Sequence, residues 1–399
     1  MVSIQLVDER NECFLRNATR VAFRHLSRTA HIPTVPKGFG TVFQVRKHSF
    51  FGETMSIIQG FPDITTLTDF SHTLHLDKQT LFLMSKYPAF YYVSFSIPKK
   101  DGVLRHIDAP KYPLRCTQQW ILKEILEKIQ PHETAMAFRK GNQFGIAENG
   151  KKHLNQPYIL KIDVKDFFSS IRRKRIFPIF LGLGYSPFIA NLLTNYCTYN
   201  NSLPQGASTS PALSNLVLFE HDRDVHDYCQ AKQVIYTRYA DDMIFSADDK
   251  QVLLKKIYPL VQESLKRLNL RINGKKTQLL SANNRQLVTG ILVNNEKITL
   301  KKQTRKRIRA MIHTDIIKKG KSRLSEQTQG HLAYVNGIDP VLYNKYLAYY
   351  HTLKEKRPSR QEKTPTAKQE NLSTTQEKEL KPEKEKKSNW FMRIIKKDW

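Results

Sequence analysis

Apolar residues recur along this chain with two periods. Behind Trp120, the residues Ile121, Leu122, Ile125, Leu126 and Ile129 fall at helical spacing and predict one amphipathic helix. A second is predicted over 250–268, where Val252, Leu253, Ile257, Leu260, Val261, Leu265 and Leu268 share a side. Asp248 and Asp249 are candidate caps at its start, and Pro259 is a candidate kink. Runs of β-branched and aromatic residues at 158–164 and 234–246 predict strands instead. Strands and helices mix without a regular βα alternation, which predicts an α+β fold rather than a doubly wound one. The pattern stops near residue 354. From there to 387 the chain alternates Lys, Glu, Gln, Thr and Pro, a composition that buries too little surface to offset chain entropy, so a disordered linker is predicted. It leads to Trp390, Phe391, Ile394, Ile395 and Trp399 among basic residues, which is either a short docking helix or a sticky end. No internal repeat is visible.

Charge narrows the picture. The 399 residues carry 65 Lys+Arg against 36 Asp+Glu, a formal net charge of +29. Residues 354–399 hold 14 of the basic and 8 of the acidic side chains, so only +6 belongs to the tail and +23 to the rest. An excess of that size points to a polyanionic partner, nucleic acid first, with a merely solubilising basic surface as the bland alternative. Cys13, Cys116, Cys197 and Cys229 are widely spaced and form no CxxC pair, which excludes a disulfide scaffold and a zinc ribbon. No secretory signal and no membrane-spanning apolar run is apparent, and the expected location is the cytoplasm.

The sharpest chemical feature is Tyr239, Ala240, Asp241 and Asp242 between apolar runs, which predicts a β-hairpin whose tight turn presents two adjacent carboxylates. Asp is a common turn former, so the pair alone has a structural reading. Asp163 changes that. It ends the strand 158–162, where a carboxylate is costly to desolvate without a counter-charge. If this strand pairs with the hairpin, Asp163 and Asp241 converge on one sheet edge. Carboxylates held so close invite hard divalent cations, and two Mg2+ ions there can drive nucleotidyl transfer. Between the two segments stands a loop, Leu203, Pro204, Gln205 and Gly206, followed by Ser210 and Pro211, which start a helix well.

In that order the residues resemble the reverse transcriptases. The strand ending at Asp163 resembles motif A, Leu203 to Pro211 (LPQGASTSP) motif B, Tyr239 to Asp242 (YADD) motif C, and Asn273 to Thr277 (NGKKT) motif D. Lys99, Lys100, Asp101, Gly102 and Arg105 match the family's basic fingertip strand, and the resemblance spans about residues 25–350. Two elements resemble the retron branch: Val288, Thr289 and Gly290 (VTG), and the run Asn149 to His153, which is similar to NAxxH but has Gly150 where that branch usually carries Ala.

The resemblance implies a right-hand polymerase. Residues 1–24 would be an N-terminal segment, 25–295 fingers and palm, 296–353 the thumb, and 354–399 a disordered basic tail. It implies that Asp163, Asp241 and Asp242 are catalytic and bind two Mg2+ ions with the Val164 carbonyl, Asp242 orienting rather than ligating. Phe168 would be the steric gate against a ribose 2′-OH, with an ordinary core aromatic as its alternative. Gln205 would meet the incoming nucleotide or template, Lys100 and Arg105 its triphosphate, and Lys276 the leaving pyrophosphate; for Lys99 and Lys100 a solvated basic strand stays open. Arg305 and Arg309, on a basic helix with Lys301, Lys302, Lys306 and Arg307, would grip RNA and the RNA–DNA duplex, unless that face is only solvated. Asn149, His153, Val288, Thr289 and Gly290 would meet the cognate RNA.

The implied function is RNA-directed DNA synthesis that copies part of a structured non-coding RNA into single-stranded DNA. The product would be a 2′-OH-primed RNA–DNA hybrid, made from deoxynucleoside triphosphates, in antiphage defence. No effector domain is evident after residue 354, so a separate effector protein is expected. The alternatives are another defence-associated or group II intron-like reverse transcriptase, an RNA-dependent RNA polymerase, and a non-catalytic RNA-binding scaffold. The absence of a maturase or HNH-type cysteine cluster disfavours the intron reading. Phe168 and Ala240 disfavour the RNA polymerase, and the three aspartates disfavour the scaffold.

Overall fold

The computed structural model describes residues 60–99, 102–294, 296–320 and 322–356. The expected segment 1–24, the fingertip Lys100 and the tail from 357 onward lie outside the described residues. Two strands, β1 (Tyr92–Pro98) and β2 (Leu104–Pro110), pair as an antiparallel hairpin with Ile97 opposite Arg105. The central sheet has four antiparallel strands: β3 (Tyr158–Asp163), β4 (Ile235–Tyr239), β5 (Asp242–Ala247) and β6 (Gln278–Ser281), in the order β4–β5–β3–β6. The expected α+β sheet forms, with β3 beside the hairpin.

Strand alternation sends successive side chains to opposite faces. One face carries Leu160, Ile162, Met243, Phe245 and Tyr236 into the main core, against the helices Tyr112–Glu124, Arg173–Gly182, Pro187–Cys197 and Phe219–Ala231. The other face is divided. Its far end, Ile159 and Ile244, joins a second core with Val288, Ile291 and Val293 and with the helices Lys302–His313, Glu326–Asn336 and Pro340–Glu355. Its near end is Asp163 opposite Asp242. A sheet buried on both faces thus leaves one polar end open.

Two helices depart from their periodic pattern. The first runs Tyr112–Glu124 with Pro113 in its opening turn, which suits a proline at that position. It stops before Ile125, whose φ is −122°; Ile125, Leu126 and Ile129 are buried from a 3-10 turn and its flanks rather than from the helix. Periodicity reported burial and not backbone continuity. The second begins with Asp249 accepting from the Gln251 amide, and a π-helical turn, Leu253–Ile257, precedes Tyr258–Arg267. Pro259 lacks an amide donor, and the wide turn just before it accommodates the missing bond without a break. Cys116, Cys197 and Cys229 are free thiols. Among the described residues, no helix is long and apolar enough to cross a membrane.

The LPQG loop is fastened to β2. The Asp108 amide donates to the Gln205 carbonyl at 2.9 Å. Gly206 has φ +137°, and a Cβ there would lie 2.7 Å from the Asp108 carbonyl oxygen. Only glycine meets both demands. Gly206→Ala should therefore lower stability by roughly 1–3 kcal/mol, read as a shifted urea midpoint; an unchanged midpoint would show the loop free to move off β2.

Candidate active site

β4 and β5 are joined through a two-residue loop, Ala240 and Asp241, because Tyr239 lies opposite Asp242. Ala240 takes φ +58°, a conformation that glycine adopts at less cost. The tight turn aligns one row across the sheet, Tyr239, Asp242 and Asp163, with Asp241 at the tip. The Val164 amide donates to the Asp241 carbonyl at 3.0 Å, tying the end of β3 to that tip.

What holds the strained turn is a residue the sequence reading passed over. Arg238 lies on the core face and is fully buried, as is Asp222 on the helix Phe219–Ala231. Its Nη2 lies 2.6 Å from an Asp222 carboxylate oxygen, and its Nε donates to the same carboxylate. Nη1 donates to Asn215 Oδ1 at 3.1 Å and to the Ala240 carbonyl at 3.2 Å, while the Tyr236 hydroxyl donates to Asp222. Burial pulls the guanidinium pKa down, but the Asp222 carboxylate outweighs it and the net direction is up. A lone arginine inside an apolar strand beside YADD was the available signal. Asp222, among several charged neighbours on its helix, had none.

Above the sheet the charges are arranged differently. Burial, then the neighbouring Asp242 and Asp163 charges, push the Asp241 carboxyl up from 3.8 to about 6. Asp242 is also raised, by burial first and by Asp163, with Lys161 and Lys276 opposing. Lys276 Nζ sits 3.1 Å from Asp163 Oδ2 on a mostly exposed side chain, supplying the counter-charge that β3's terminal carboxylate requires. Burial alone would lower the Lys276 pKa, but its hydrogen bond and charge pairing with Asp163 raise it. A turn brings it there: the Asn273 amide donates to the Asp163 carbonyl, and the Lys276 and Thr277 amides to that of Asn273.

Mutual repulsion among partly buried carboxylates, relieved only in part by Lys276 and Lys161, is the donor chemistry that suits a hard divalent cation. Among the described residues, no three His, Cys, Asp or Glu side chains form a ready-made cage. Magnesium commonly binds through one or two carboxylates with water and substrate phosphate completing the sphere, so the donor set fits the ion.

The nucleotide-contact candidates flank this row. Phe168 is half-buried beside Phe167, 5.3 Å between ring centroids, and Phe138, 6.2 Å away. Phe138, at φ +61° and 38% exposed, was not singled out in the sequence. Gln205 is half-buried on the loop that docks on β2, and Arg105 is exposed on that strand. Tyr334, from the helix Glu326–Asn336, approaches from the other side; burial raises its hydroxyl pKa, and nearby Tyr239 adds to the shift.

A family model described as reverse transcriptase (RNA-dependent DNA polymerase) matches residues 97–321, which contain all of these groups except Tyr334. The Retron Ec86 reverse transcriptase of Escherichia coli is 32% identical over 302 residues, 74% of this chain and 92% of that one. The Retron Mx65 enzyme of Myxococcus xanthus is 31% identical, over 63% of this chain and 62% of its own length, and the Retron Ec83 enzyme of Escherichia coli is 28% identical, over 69% and 89%. The chain belongs to the retron-type reverse transcriptases. It is an RNA-directed DNA polymerase with the right-hand fold of that family.

The retron elements of this reverse transcriptase behave unlike the expectation that they touch RNA. His153 is fully buried: Nδ1 lies 2.7 Å from Ser246 Oγ and Nε2 2.7 Å from Thr237 Oγ1, and burial depresses its pKa to about 3. Asn149 and Val288 are also fully buried. Direct RNA contact by these three side chains is corrected to a packing role, since none presents surface. Gly150 fits the same account: a Cβ there would lie 3.3 Å from the Ile298 methyl, so this chain fills with Ile298 the space an alanine methyl would take. Thr289 and Gly290 form the two-residue turn between β7 (Leu287–Val288) and β8 (Ile291–Leu292), at φ +47° and +88°. Thr289 is half-buried and Gly290 exposed. Arg305 and Arg309 are exposed on the helix Lys302–His313, with the Arg309 guanidinium 4.4 Å from the Tyr349 ring centroid.

The Asp241 shift sets a pH dependence. Its folded carboxyl keeps a proton up to about pH 6, whereas an unfolded one releases it near 4. The folded state binds more protons between those values, so stability falls as pH rises through that window. In metal-free urea titrations, Asp241→Asn should exceed the parent by on the order of 1–2 kcal/mol at about pH 8 and gain little at about pH 4. An equal gain at both would remove the electrostatic cause.

Proposed function

We propose that this reverse transcriptase copies part of a structured non-coding RNA into single-stranded DNA from a 2′-hydroxyl primer. The observation that carries the chemistry is the in-register pairing of Asp163 with Asp242, with Asp241 on the adjoining turn. Asp163, Asp241, Asp242 and the Val164 carbonyl would hold two Mg2+ ions, which when bound activate the primer hydroxyl and stabilise the charge on the leaving group. The hydroxyl oxygen forms a bond to the α-phosphorus, the bond to the β-phosphate bridge breaks, and pyrophosphate leaves while the hydroxyl proton passes to solvent. Lys276, held charged, faces the developing negative charge of that leaving group. Lys100 and Arg105 orient the triphosphate from the fingertip hairpin, and Gln205 orients the base or its template partner. Phe168, stiffened between Phe167 and Phe138, closes the space a ribose 2′-OH would need.

Residues 25–295 are read as fingers and palm and 296–353 as the thumb, whose exposed Arg305 and Arg309, with the Thr289–Gly290 turn, meet the RNA and the RNA–DNA hybrid through phosphate and 2′-OH contacts. The relatives' retron membership supports a dedicated non-coding RNA; antiphage defence alongside a separate effector protein completes the proposed reading.

Asp241→Ala with Asp242→Ala should abolish DNA synthesis on co-purified RNA while RNA binding in a filter assay survives; retained synthesis would remove the metal assignment. Phe168→Ala should raise ribonucleotide incorporation on the order of tenfold or more in single-nucleotide extension, about 1.4 kcal/mol of lost discrimination. Unchanged sugar selectivity would return Phe168 to the core.

A further inference from the structure

A concavity of about 490 Å³ opens on the flank of the sheet, lined by Lys165, Arg172, Arg271, Ser170, Ser202 and Asn269. Three cations face one acidic wall residue, Asp166. Among the described residues, no ion pair or hydrogen bond engages the Lys165 ammonium or the Arg172 and Arg271 guanidinium groups, and the Ser170 hydroxyl donates to the Lys165 carbonyl. Convergent, unneutralised cations in a cavity of ligand size constitute an oxyanion site in search of an anion.

Its position says which anion. Val164 bridges Ile272 in antiparallel fashion, and the Lys165 amide donates to the Arg271 carbonyl at 2.8 Å. That register sets Asp163 opposite Asn273 and Lys165 opposite Arg271. Alternation then places Asp163 and Lys165 on one face, two residues apart. Lys276 pairs with Asp163, and Lys165, two residues further along the same face, lines the cavity with Arg271 and Arg172. The walls carry no aromatic ring on which a base could stack, and the cations converge instead of tracking a strand, so a nucleic-acid backbone is the poorer fit.

We propose that this pocket binds the polyphosphate of the reaction, taking pyrophosphate as it leaves the carboxylate row. The inference rests on the polymerase reading and adds an exit site to it. The fork geometry of Arg172 and Arg271 suits bidentate contact with phosphate oxygens, and Lys165 adds a third positive charge.

The test compares the full chain with its Arg172→Gln/Arg271→Gln variant, both substitutions lying on exposed side chains. Calorimetric titration with inorganic pyrophosphate, in chelator to silence metal-dependent binding, should show affinity falling about tenfold or more in the variant. Pyrophosphate inhibition of primer extension should weaken in parallel, while affinity for an RNA–DNA hybrid and its salt slope stay as in the parent. Arg172→Lys/Arg271→Lys should recover part of the binding. Equal pyrophosphate affinity in parent and glutamine variant overturns the proposal. So does a loss confined to hybrid affinity with a shallower salt slope, which assigns the pocket to nucleic acid. A parent that binds pyrophosphate through these arginines yet extends no primer leaves the pocket standing and refutes the polymerase reading instead.

Discussion

The structure around the carboxylates depends on one buried ion pair. Arg238 and Asp222 are both fully withdrawn from water, which is expensive, and their attraction offsets that cost only because nearly every donor and acceptor is used. The guanidinium reaches Asp222, Asn215 and the Ala240 carbonyl, while the Arg238 backbone exchanges hydrogen bonds with Thr134 and Met136. Five separate pieces of chain are thereby referred to one residue, through its guanidinium or its backbone: the helix Phe219–Ala231, the helix Ser210–Val217 that follows the LPQG loop, the segment leading to Phe138, and both arms of the hairpin. Such a network adds little net stability compared with an apolar filling, but it is intolerant of shifts. That intolerance suits a turn that keeps Ala240 at positive φ and Asp241 against two like charges.

The carboxylate row is built in the opposite sense. Below the sheet Arg238 and Asp222 match each other; above it, Lys276 and Lys161 offset three acids only in part, and the remaining repulsion appears with burial in the raised Asp241 and Asp242 carboxyls. Pairing below and frustration above are separated by one strand thickness, because side chains alternate across it. Further along the upper face, His153 bridges Thr237 and Ser246, and the helix Ile146–Lys151 before it packs through Gly150 against Ile291, Val293 and Ile298 of the second core. The retron elements thus join the C-terminal helices to the sheet face whose near end is the carboxylate row.

Much of this was legible in the chain. The period-two runs at 158–164 and 234–246 located the sheet, YADD between apolar runs required a hairpin, and the lone acid closing a buried strand called for a counter-charge, which Lys276 supplies. The helix pattern after Trp120 was read one element too late, since spacing records which side chains are buried and is silent on where the backbone breaks. Arg238 with Asp222, and Phe138 with Phe168, were missed because their partners lie 16 and 30 residues away, beyond any local pattern.

Residue order alone determined the reaction class: motifs A to D carry the acids, the glycine and the lysine that nucleotidyl transfer needs, in one sequence of turns and strands. Only the tertiary structure decided what each conspicuous residue does. His153 and Asn149 look like polar recognition groups in one dimension and are interior side chains in three, where His153 bridges Thr237 and Ser246, because packing against the sheet and the second core removes them from water. Lys165, Arg172 and Arg271 look like scattered surface charge, yet the antiparallel bridges Val164–Ile272 and Arg172–Ser202 bring them to the wall of one cavity. Composition counts charges; register and burial decide which of them meet.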